Sequence, residues 1–181
     1  YKAPLTAADN WPRMVQIAWQ VHGETGEFIE AKSYIIKPEG YTIPYSAEKV
    51  HGISTEKAQA EGVDLDQVLN EFNASLTNVK FLVGHNIQFD ISIVGAEFLR
   101  KQIETVFLKM HTIDTMEDST AYCALPGGKG GKYKWPNLSE LHQNLFAEGF
   151  DEAHNAAADV AATTRCVLEL LRIEVIDHSR Y

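Results

Sequence analysis

The chain has 181 residues, of which 45% are hydrophobic and 23% charged, and its formal net charge is −9. This length suits one domain with a substantial core. The negative charge argues against a protein that coats nucleic acid by releasing counterions, but it permits an enzyme that meets phosphate through bound divalent cations. No apolar stretch is long enough to cross a membrane and nothing is typical of a signal peptide, so we expect no membrane partner. The isolated Cys123 and Cys166 favour a reducing cytoplasm.

The first third of the chain predicts a β-hairpin followed by helices. Residues 14–21 alternate between apolar and polar side chains, which is strand periodicity, and residues 28–37 give a second strand. The turn residues 23–26 join the two into a hairpin. Ser54 is suited to cap a short helix, and residues 65–76 carry the apolar stripe of a longer one.

A buried strand that leads directly into a helix is predicted in the middle of the chain. The apolar run at 79–83 stops at Gly84, and a helical spacing starts at once around Phe89. A further short strand around residues 106–113 precedes another helix that begins near Asp114. A hairpin followed by this alternation predicts an α/β fold in which helices flank a mixed sheet.

The last third combines a loop with two helices. Residues 126–136 form a glycine-rich loop with three lysines and no acid. Such a loop either follows a phosphate backbone, with its aromatic side chains stacked on bases, or is an ordinary solvated connection. One helix is predicted around residues 138–145 and a long one after residue 155. The predicted buried stripe of the long helix consists of Ala157, Ala161, Thr164, Leu168 and Leu171.

Asn86 and Asp90 lie four residues apart at the start of the helix that follows Gly84. They therefore share one face of that helix, with Phe89 beside them. This is the carboxyl end of a buried strand, where open α/β sheets place their chemistry, so Asp90 is well placed to hold a metal ion. The alternative is that Asn86 is an ordinary N-cap and Asp90 a first-turn acid that complements the helix dipole.

A second polar cluster opens the last helix. Asn155 suits the N-cap position, which leaves His154 on the preceding loop and Asp159 just past the first turn. The alanines at 156–158 let this helix approach the sheet closely, so Asp159 can face Asp90 across a narrow cleft. Taken alone, the same residues also fit a surface histidine and a solvated acid.

Two carboxylates from different helices and a nearby imidazole make a metal-and-base arrangement. The carboxylates would hold a divalent cation that polarises a phosphoryl oxygen and activates a water, and His154 would take the proton of that water. Hard oxygen ligands suit Mg²⁺ or Mn²⁺ better than zinc.

Together the two clusters resemble the DEDDh family of 3′–5′ exonucleases, which is similar to the proofreading epsilon subunit of bacterial DNA polymerase III. The resemblance rests on Asn-x-x-Phe-Asp at 86–90 and His-x-Ala-x-x-Asp at 154–159. It covers the chain from about Trp11 to Leu171. Further matching segments are Val50-His51-Gly52-Ile53, Ile113-Asp114-Thr115 and Asn137-Leu138-Ser139-Glu140-Leu141.

The resemblance implies a ribonuclease H-like fold and a single exonuclease-like domain over residues 1–181. It implies metal-dependent hydrolysis of single-stranded nucleic acid from its 3′ end to nucleoside monophosphates, with DNA favoured as the substrate. A DNA polymerase is a candidate partner. The alternative is a catalytically inactive module with this fold that binds nucleic acid or associates with a polymerase.

The resemblance also assigns roles to residues. Asp90 and Asp159 would bind the Mg²⁺ or Mn²⁺ ions of a two-metal site, and His154 would be the general base. The segment formed by His51, Gly52 and Ile53 would line the pocket of the terminal nucleotide. Asn86 and Phe89 would support the site and the substrate end.

The sequence departs from the family at its first motif. That motif, Asp-x-Glu on the first central strand, supplies the other two metal ligands and should precede the strand at 14–21, where it is absent. Glu24-Thr25-Gly26 resembles the end of the motif but lies in the predicted hairpin turn. We therefore expect that the natural protein starts further upstream, and that the chain alone, with only Asp90 and Asp159, holds metals weakly and turns over little substrate.

Overall fold

The structure, a computed structural model, describes residues 3–150, 155–177 and 179. Strands and helices follow one another in the order expected from the sequence, except that the helix Tyr45–His51 was not predicted and the helix expected near Asp114 is divided into two. They are β1 (Gln16–His22), β2 (Phe28–Ile35), α1 (Tyr45–His51), α2 (Thr55–Glu61), α3 (Leu65–Ser75), β3 (Phe81–Gly84), α4 (Ile87–Lys101), β4 (His111–Asp114), α5 (Thr115–Asp118), α6 (Thr120–Cys123), α7 (Leu138–Phe146) and α8 (Ala156–Arg172). In the part of the chain that the structure describes, no helix has the length and apolar character needed to cross a membrane.

The predicted hairpin is present. β1 and β2 pair antiparallel, with Trp19 opposite Lys32. The turn between them closes through a hydrogen bond from Gly26 N–H to the Gly23 carbonyl at 3.0 Å. Gly26 has a φ of +88°, a backbone conformation that glycine adopts without steric cost.

The second pair of strands is parallel, and α4 is part of the connection between them. β3 and β4 run side by side with Gly84 opposite Asp114, so both strands end at the same edge. β4 is shorter than the strand predicted at 106–113, because residues 107–109 form a 3₁₀ turn instead. This turn buries Phe107, whose ring packs edge-on against Phe72 at 5.3 Å between centroids.

Both pairing modes of the predicted mixed sheet are therefore present. Among the described residues, however, they form two separate two-stranded sheets, β1–β2 and β3–β4. The helix α8 contacts strands of both sheets. Its N-terminus and that of α4 are the structural basis of the candidate site.

The core is divided between two main clusters. One gathers the inner faces of the hairpin, α3 and α4 around Phe72 and Phe98, and the other gathers α7, α8 and β4 around Leu141 and Leu170. The predicted stripe of α8 is wrong, since Ala161 and Leu168 are exposed. Its buried residues are Ala162, Cys166, Val167 and Leu170. These buried residues face α7. The predicted stripe faces the β1–β2 hairpin, where Thr164 Oγ1 donates to Gln20 Oε1 at 3.3 Å.

A buried charge cluster attaches the N-terminal segment to α4. The side chain of Glu97 is only 1% exposed and binds Arg13 Nε at 3.0 Å. The same carboxylate lies 3.1 Å from Arg100 Nη1 and accepts the Met14 backbone N–H at 2.9 Å. Arg100 also donates to the Trp11 carbonyl at 2.7 Å. These contacts fix the position of α4, and so of the acid in its first turn.

Candidate active site

Asp90 lies in the first turn of α4, directly after the carboxyl end of β3. The bend between strand and helix is made by Asn86, which has φ 64° and ψ 46°, a left-handed conformation that asparagine tolerates better than most residues. Asn86 occupies the N-cap position, but its side chain makes no capping hydrogen bond. Phe89 precedes Asp90 and is 45% exposed. The predicted grouping of Asn86, Phe89 and Asp90 at a strand end is thus present.

The cap of α4 comes from a neighbouring strand. Asp114, the last residue of β4, accepts the backbone N–H of Asn86 at 2.9 Å and that of Ile87 at 3.2 Å. Its Oδ1 also accepts the Met116 N–H at 2.9 Å and so caps α5. No role of its own was predicted for Asp114. The available signal was an acid at a strand end directly before a helix, which is a typical N-cap position.

Asp159 enters the site from α8. Asn155 caps this helix as predicted, its side chain accepting the Ala157 N–H at 2.8 Å. The first backbone N–H of the helix, that of Ala156, lies 3.4 Å from Gln16 Oε1 at the start of β1. The hairpin therefore contacts the first turn of α8, in which Asp159 is partly buried.

The electrostatics of Asp90 show that the acids converge. The pKa of Asp90 is raised to about 6, first because surrounding protein desolvates the carboxylate, then because of the charges of Asp114 and Asp159. Solvent still reaches the residue, which is exposed. Two carboxylates thus oppose the ionisation of a third at the junction of α4, β4 and α8. A bound cation relieves this kind of repulsion.

The donor set fits part of a metal site. Asp90 and Asp159 offer carboxylate oxygens, the ligand type that hard divalent cations prefer, whereas the oxygens of Asp114 accept backbone N–H groups. Over residues 3–150, 155–177 and 179, no group of three or more His, Cys, Asp or Glu side chains could hold a metal ion. The predicted base, His154, lies outside the described residues.

His85, next to Asn86, has a structural role. Its Nε2 lies 2.9 Å from the Pro136 carbonyl, which can only accept, so Nε2 carries the proton. Its Nδ1 lies 3.0 Å from Thr115 Oγ1. Burial lowers the pKa of His85, which favours the neutral ring. His85 thus connects the base of α4 to α5 and to the end of the loop at 126–136.

The segment assigned to the terminal nucleotide forms the end of α1. His51 is its last residue, Gly52 ends the helix with a φ of 70°, and Ile53 is buried against Ile43 and Ala58. His51 Nδ1 accepts the Ile53 N–H at 3.1 Å, and burial lowers the pKa of the ring. That these residues contact a nucleotide stays a prediction.

The family is decided by comparison with known proteins. The model of a family described as exonuclease, of the RNase T type, matches residues 10–167. The chain belongs to this exonuclease family. None of the curated proteins compared with the chain matches it.

Solved structures with the same fold include those of exonuclease I. The chain matches E. coli exonuclease I in complex with a dT13 oligonucleotide with a TM-score of 0.74 and 21% identity, over 91% of this chain and 39% of that one. It matches the zinc-bound form of the E. coli exonuclease I complex with single-stranded DNA with a TM-score of 0.70 and 25% identity, over 90% and 37% of the chains. The chain matches the complex of exonuclease I with the inhibitor BCBP with a TM-score of 0.72 and 19% identity, over 94% of this chain and 39% of that one.

These matches confirm the predicted fold class, an α/β fold of the ribonuclease H-like exonuclease type. The chain spans less than two fifths of the length of several of these solved structures. The similarity to the epsilon subunit and the absence of an Asp-x-Glu strand stay predictions.

Proposed function

We propose that the chain forms the nuclease domain of a metal-dependent 3′–5′ exonuclease that hydrolyses single-stranded DNA to nucleoside monophosphates. The observation that carries this proposal is the electrostatic convergence of Asp90, Asp114 and Asp159 where β3 and β4 end and α4 and α8 begin. A member of an exonuclease family with acids grouped at this edge is suited to bind phosphate through cations. The oligonucleotide complexes of exonuclease I support single-stranded DNA as the substrate.

In this proposal, Asp90 and Asp159 hold Mg²⁺ or Mn²⁺, and Asp114 positions Asp90 through the first turn of α4. The cations, when bound, supply positive charge that stabilises the reacting phosphate and lower the pKa of water. His154 takes the proton of the attacking water as general base. Phe89 offers an exposed ring to the substrate end, and His51, Gly52 and Ile53 line the pocket of the terminal nucleotide.

A second candidate is a catalytically inactive domain with this fold that binds nucleic acid or associates with a DNA polymerase. One observation favours it: the described residues contain no complete three-ligand metal group. We prefer the active enzyme, because the charge of Asp159, which opposes the ionisation of Asp90, has no evident use in a pure binding module. A reducing cytoplasm stays our expectation, and both buried cysteines are free thiols.

Hydrolysis of a 5′-labelled single-stranded oligonucleotide in Mn²⁺ tests the proposal, using the full-length protein. We expect a ladder of progressively shorter products, which Asp90→Asn, Asp159→Asn and His154→Ala each reduce at least about a hundredfold. Absence of cleavage by the unmutated protein would favour the inactive module. Full activity in all three variants would exclude the assigned mechanism.

Asp66→Asn is the matched control. Asp66 is also an acid in the first turn of a helix, but it binds Lys101 Nζ at 2.7 Å, at the far end of α4 from Asp90. Eleven residues of helix separate Lys101 from Asp90, about 16 Å along the axis. This variant should keep the activity of the unmutated protein.

A further inference from the structure

A cationic and aromatic surface projects from the chain between α6 and α7. It is the loop at 126–136, termed the lysine–aromatic loop below. Tyr133 is 53% exposed and Trp135 62% exposed, which is unusual for side chains of this size. Lys129 and Lys132 are exposed beside them, and the loop contains no acid although the chain carries a net charge of −9.

The base of the loop is held firmly. The Lys134 N–H donates to the Leu125 carbonyl at 3.0 Å and closes the two arms. Lys134 Nζ binds Glu140 Oε1 at 2.6 Å, and Glu140 forms a capping box with Asn137 at the start of α7. The charge of Lys134 is therefore compensated inside the protein. Lys129 and Lys132, by contrast, form no ion pair with the residues that the structure describes.

Glycines determine the shape of the loop. A Cβ at Gly128 would lie 2.2 Å from the Lys132 carbonyl oxygen, so only glycine lets the two arms come this close. Gly127 has a φ of +104°, which side chains rarely permit. These two positions bring the arms together beneath the exposed lysines and rings, so the shape does not depend on a ligand.

The loop ends at the candidate active site. Pro136 is buried and accepts the hydrogen bond from His85 Nε2 at 2.9 Å. His85 adjoins Asn86, whose N–H binds Asp114 at 2.9 Å. Trp135, whose ring is exposed, precedes Pro136 directly, and Lys132 and Lys129 lie earlier in the loop.

We propose that the lysine–aromatic loop binds the single-stranded DNA that leads into the active site. Trp135 and Tyr133 stack on bases, and Lys129 and Lys132 contact phosphates. Alternating exposed rings and cations are what sequence-tolerant binding of single strands needs, since every base has a π-face and every nucleotide a phosphate. An ordinary solvated connection has no need for two exposed aromatic rings. The nature of the ligand rests on the proposed exonuclease function; the binding surface rests on the loop.

Tryptophan fluorescence tests the stacking contact directly. Of the three tryptophans, Trp11 and Trp19 are 6% and 7% exposed, so Trp135 is the one that solvent and ligand reach. The full-length protein is titrated with an oligo-dT in EDTA, which removes divalent cations so that no hydrolysis occurs. We expect saturable quenching, which Trp135→Phe removes while keeping most of the affinity. Trp135→Ala should weaken binding at least about fivefold, measured by anisotropy of labelled oligo-dT.

Salt dependence separates the lysines from the ring. The double variant Lys129→Ala/Lys132→Ala should lower the slope of log affinity against log salt by about 1.4, since each phosphate contact to a single strand contributes about 0.7. Trp135→Ala should leave that slope unchanged. Lys109→Ala is the control, because Lys109 is exposed just before β4, at the opposite end of that strand from Asp114, and should change neither quantity.

The outcomes distinguish this proposal from the proposed function. Quenching with the predicted variant effects, but without hydrolysis in Mn²⁺, supports the loop and contradicts the exonuclease. Hydrolysis with unchanged affinity and salt slope in the loop variants supports the exonuclease and overturns the loop. Absence of quenching in the unmutated protein also overturns it. Thermal unfolding of each variant verifies that the fold is intact.

Discussion

Asp114, at the end of β4, accepts the backbone N–H of Asn86 at 2.9 Å and so fixes the first turn of the helix that carries Asp90. The strand neighbouring β3, rather than the side chain of Asn86, thus caps α4. One carboxylate both positions the helix and raises the pKa of the acid in its first turn. Asp114 therefore determines both the geometry of the first turn of α4 and part of the unfavourable electrostatic environment of Asp90.

Asp114→Ala should lower the free energy of unfolding by about 2 kcal/mol, because it removes the acceptor of three backbone N–H groups. Urea denaturation measures this value. Ser54→Ala is the comparison, since Ser54 Oγ accepts only the Lys57 N–H in capping α2, and it should cost about 1 kcal/mol or less. An Asp114 variant no less stable than the Ser54 variant would contradict the capping role.

Glu97→Ala should be among the most destabilising substitutions in α4. It removes a buried carboxylate that binds Arg13 Nε at 3.0 Å and the Met14 N–H at 2.9 Å, so we expect a loss of about 3 kcal/mol or more in denaturant unfolding. Glu169→Ala breaks the exposed pair with Arg172 and should cost much less than Glu97→Ala. Similar losses in both variants would refute the anchoring of the N-terminal segment.

Most of the order of strands and helices was predictable, because hydrophobic periodicity and caps are local. Ser54 and Asn155 cap helices as expected, and the hairpin turn lies at 23–26. The shortened β4 was not predictable, because the 3₁₀ turn depends on the burial of Phe107 against Phe72, far away in sequence. The buried face of α8 was also not predicted. The helix packs against both α7 and the hairpin, so it has two apolar faces, and the sequence does not show which of them is buried more deeply.

The candidate site was predictable in part. Asp159 follows a helix start that Asn155 caps, as the sequence predicts, and Asp90 follows the predicted strand end. The structure brings their charges within interaction range. The role of Asp114 was not predicted, because it binds the backbone N–H groups of Asn86 and Ile87, about thirty residues away in the sequence. No sequence pattern indicates such contacts. His85, which adjoins Asn86, has a structural role through its contacts with Thr115 and Pro136.

Asp90→Asn should stabilise the metal-free protein at neutral pH. The folded-state pKa of about 6 lies above the ordinary value of 3.8, so the contribution of Asp90 to stability is full below pH 3.8 and is lost as the pH rises through 6. The asparagine variant avoids that loss. Because Asp90 is exposed, solvent screening limits the gain to about 1 kcal/mol at pH 8.

Thermal unfolding in EDTA between pH 4 and pH 8 measures this difference. The Tm of Asp90→Asn should exceed that of the unmutated protein at pH 8 and equal it near pH 4. Asp66→Asn, which loses its ion pair with Lys101, should not gain stability at high pH. A variant that is less stable at pH 8 would show that the Asp90 charge is not opposed by its neighbours.

In Mn²⁺ the unmutated protein, rather than Asp90→Asn, should have the higher thermal stability. Binding to Asp90 and Asp159 stabilises the folded state, so MnCl₂ should raise the Tm of the unmutated protein. Asp90→Asn and Asp159→Asn should each require at least about tenfold more Mn²⁺ for the same shift, whereas Asp66→Asn should not. Equal Mn²⁺ dependence in all variants would exclude a metal at these acids.

The most direct test of the central claim is the direction and product of cleavage. The full-length protein is incubated in Mn²⁺ with two single-stranded DNA oligonucleotides, one labelled on the 3′-terminal nucleotide and one at the 5′ end. The Asp159→Asn variant is treated in the same way. We predict immediate release of labelled mononucleotide from the first, a gradually shortening ladder from the second, and neither with the variant. Immediate mononucleotide release from the 5′ label, internal cleavage, or undiminished hydrolysis by Asp159→Asn would contradict a 3′–5′ exonuclease site built on Asp90 and Asp159.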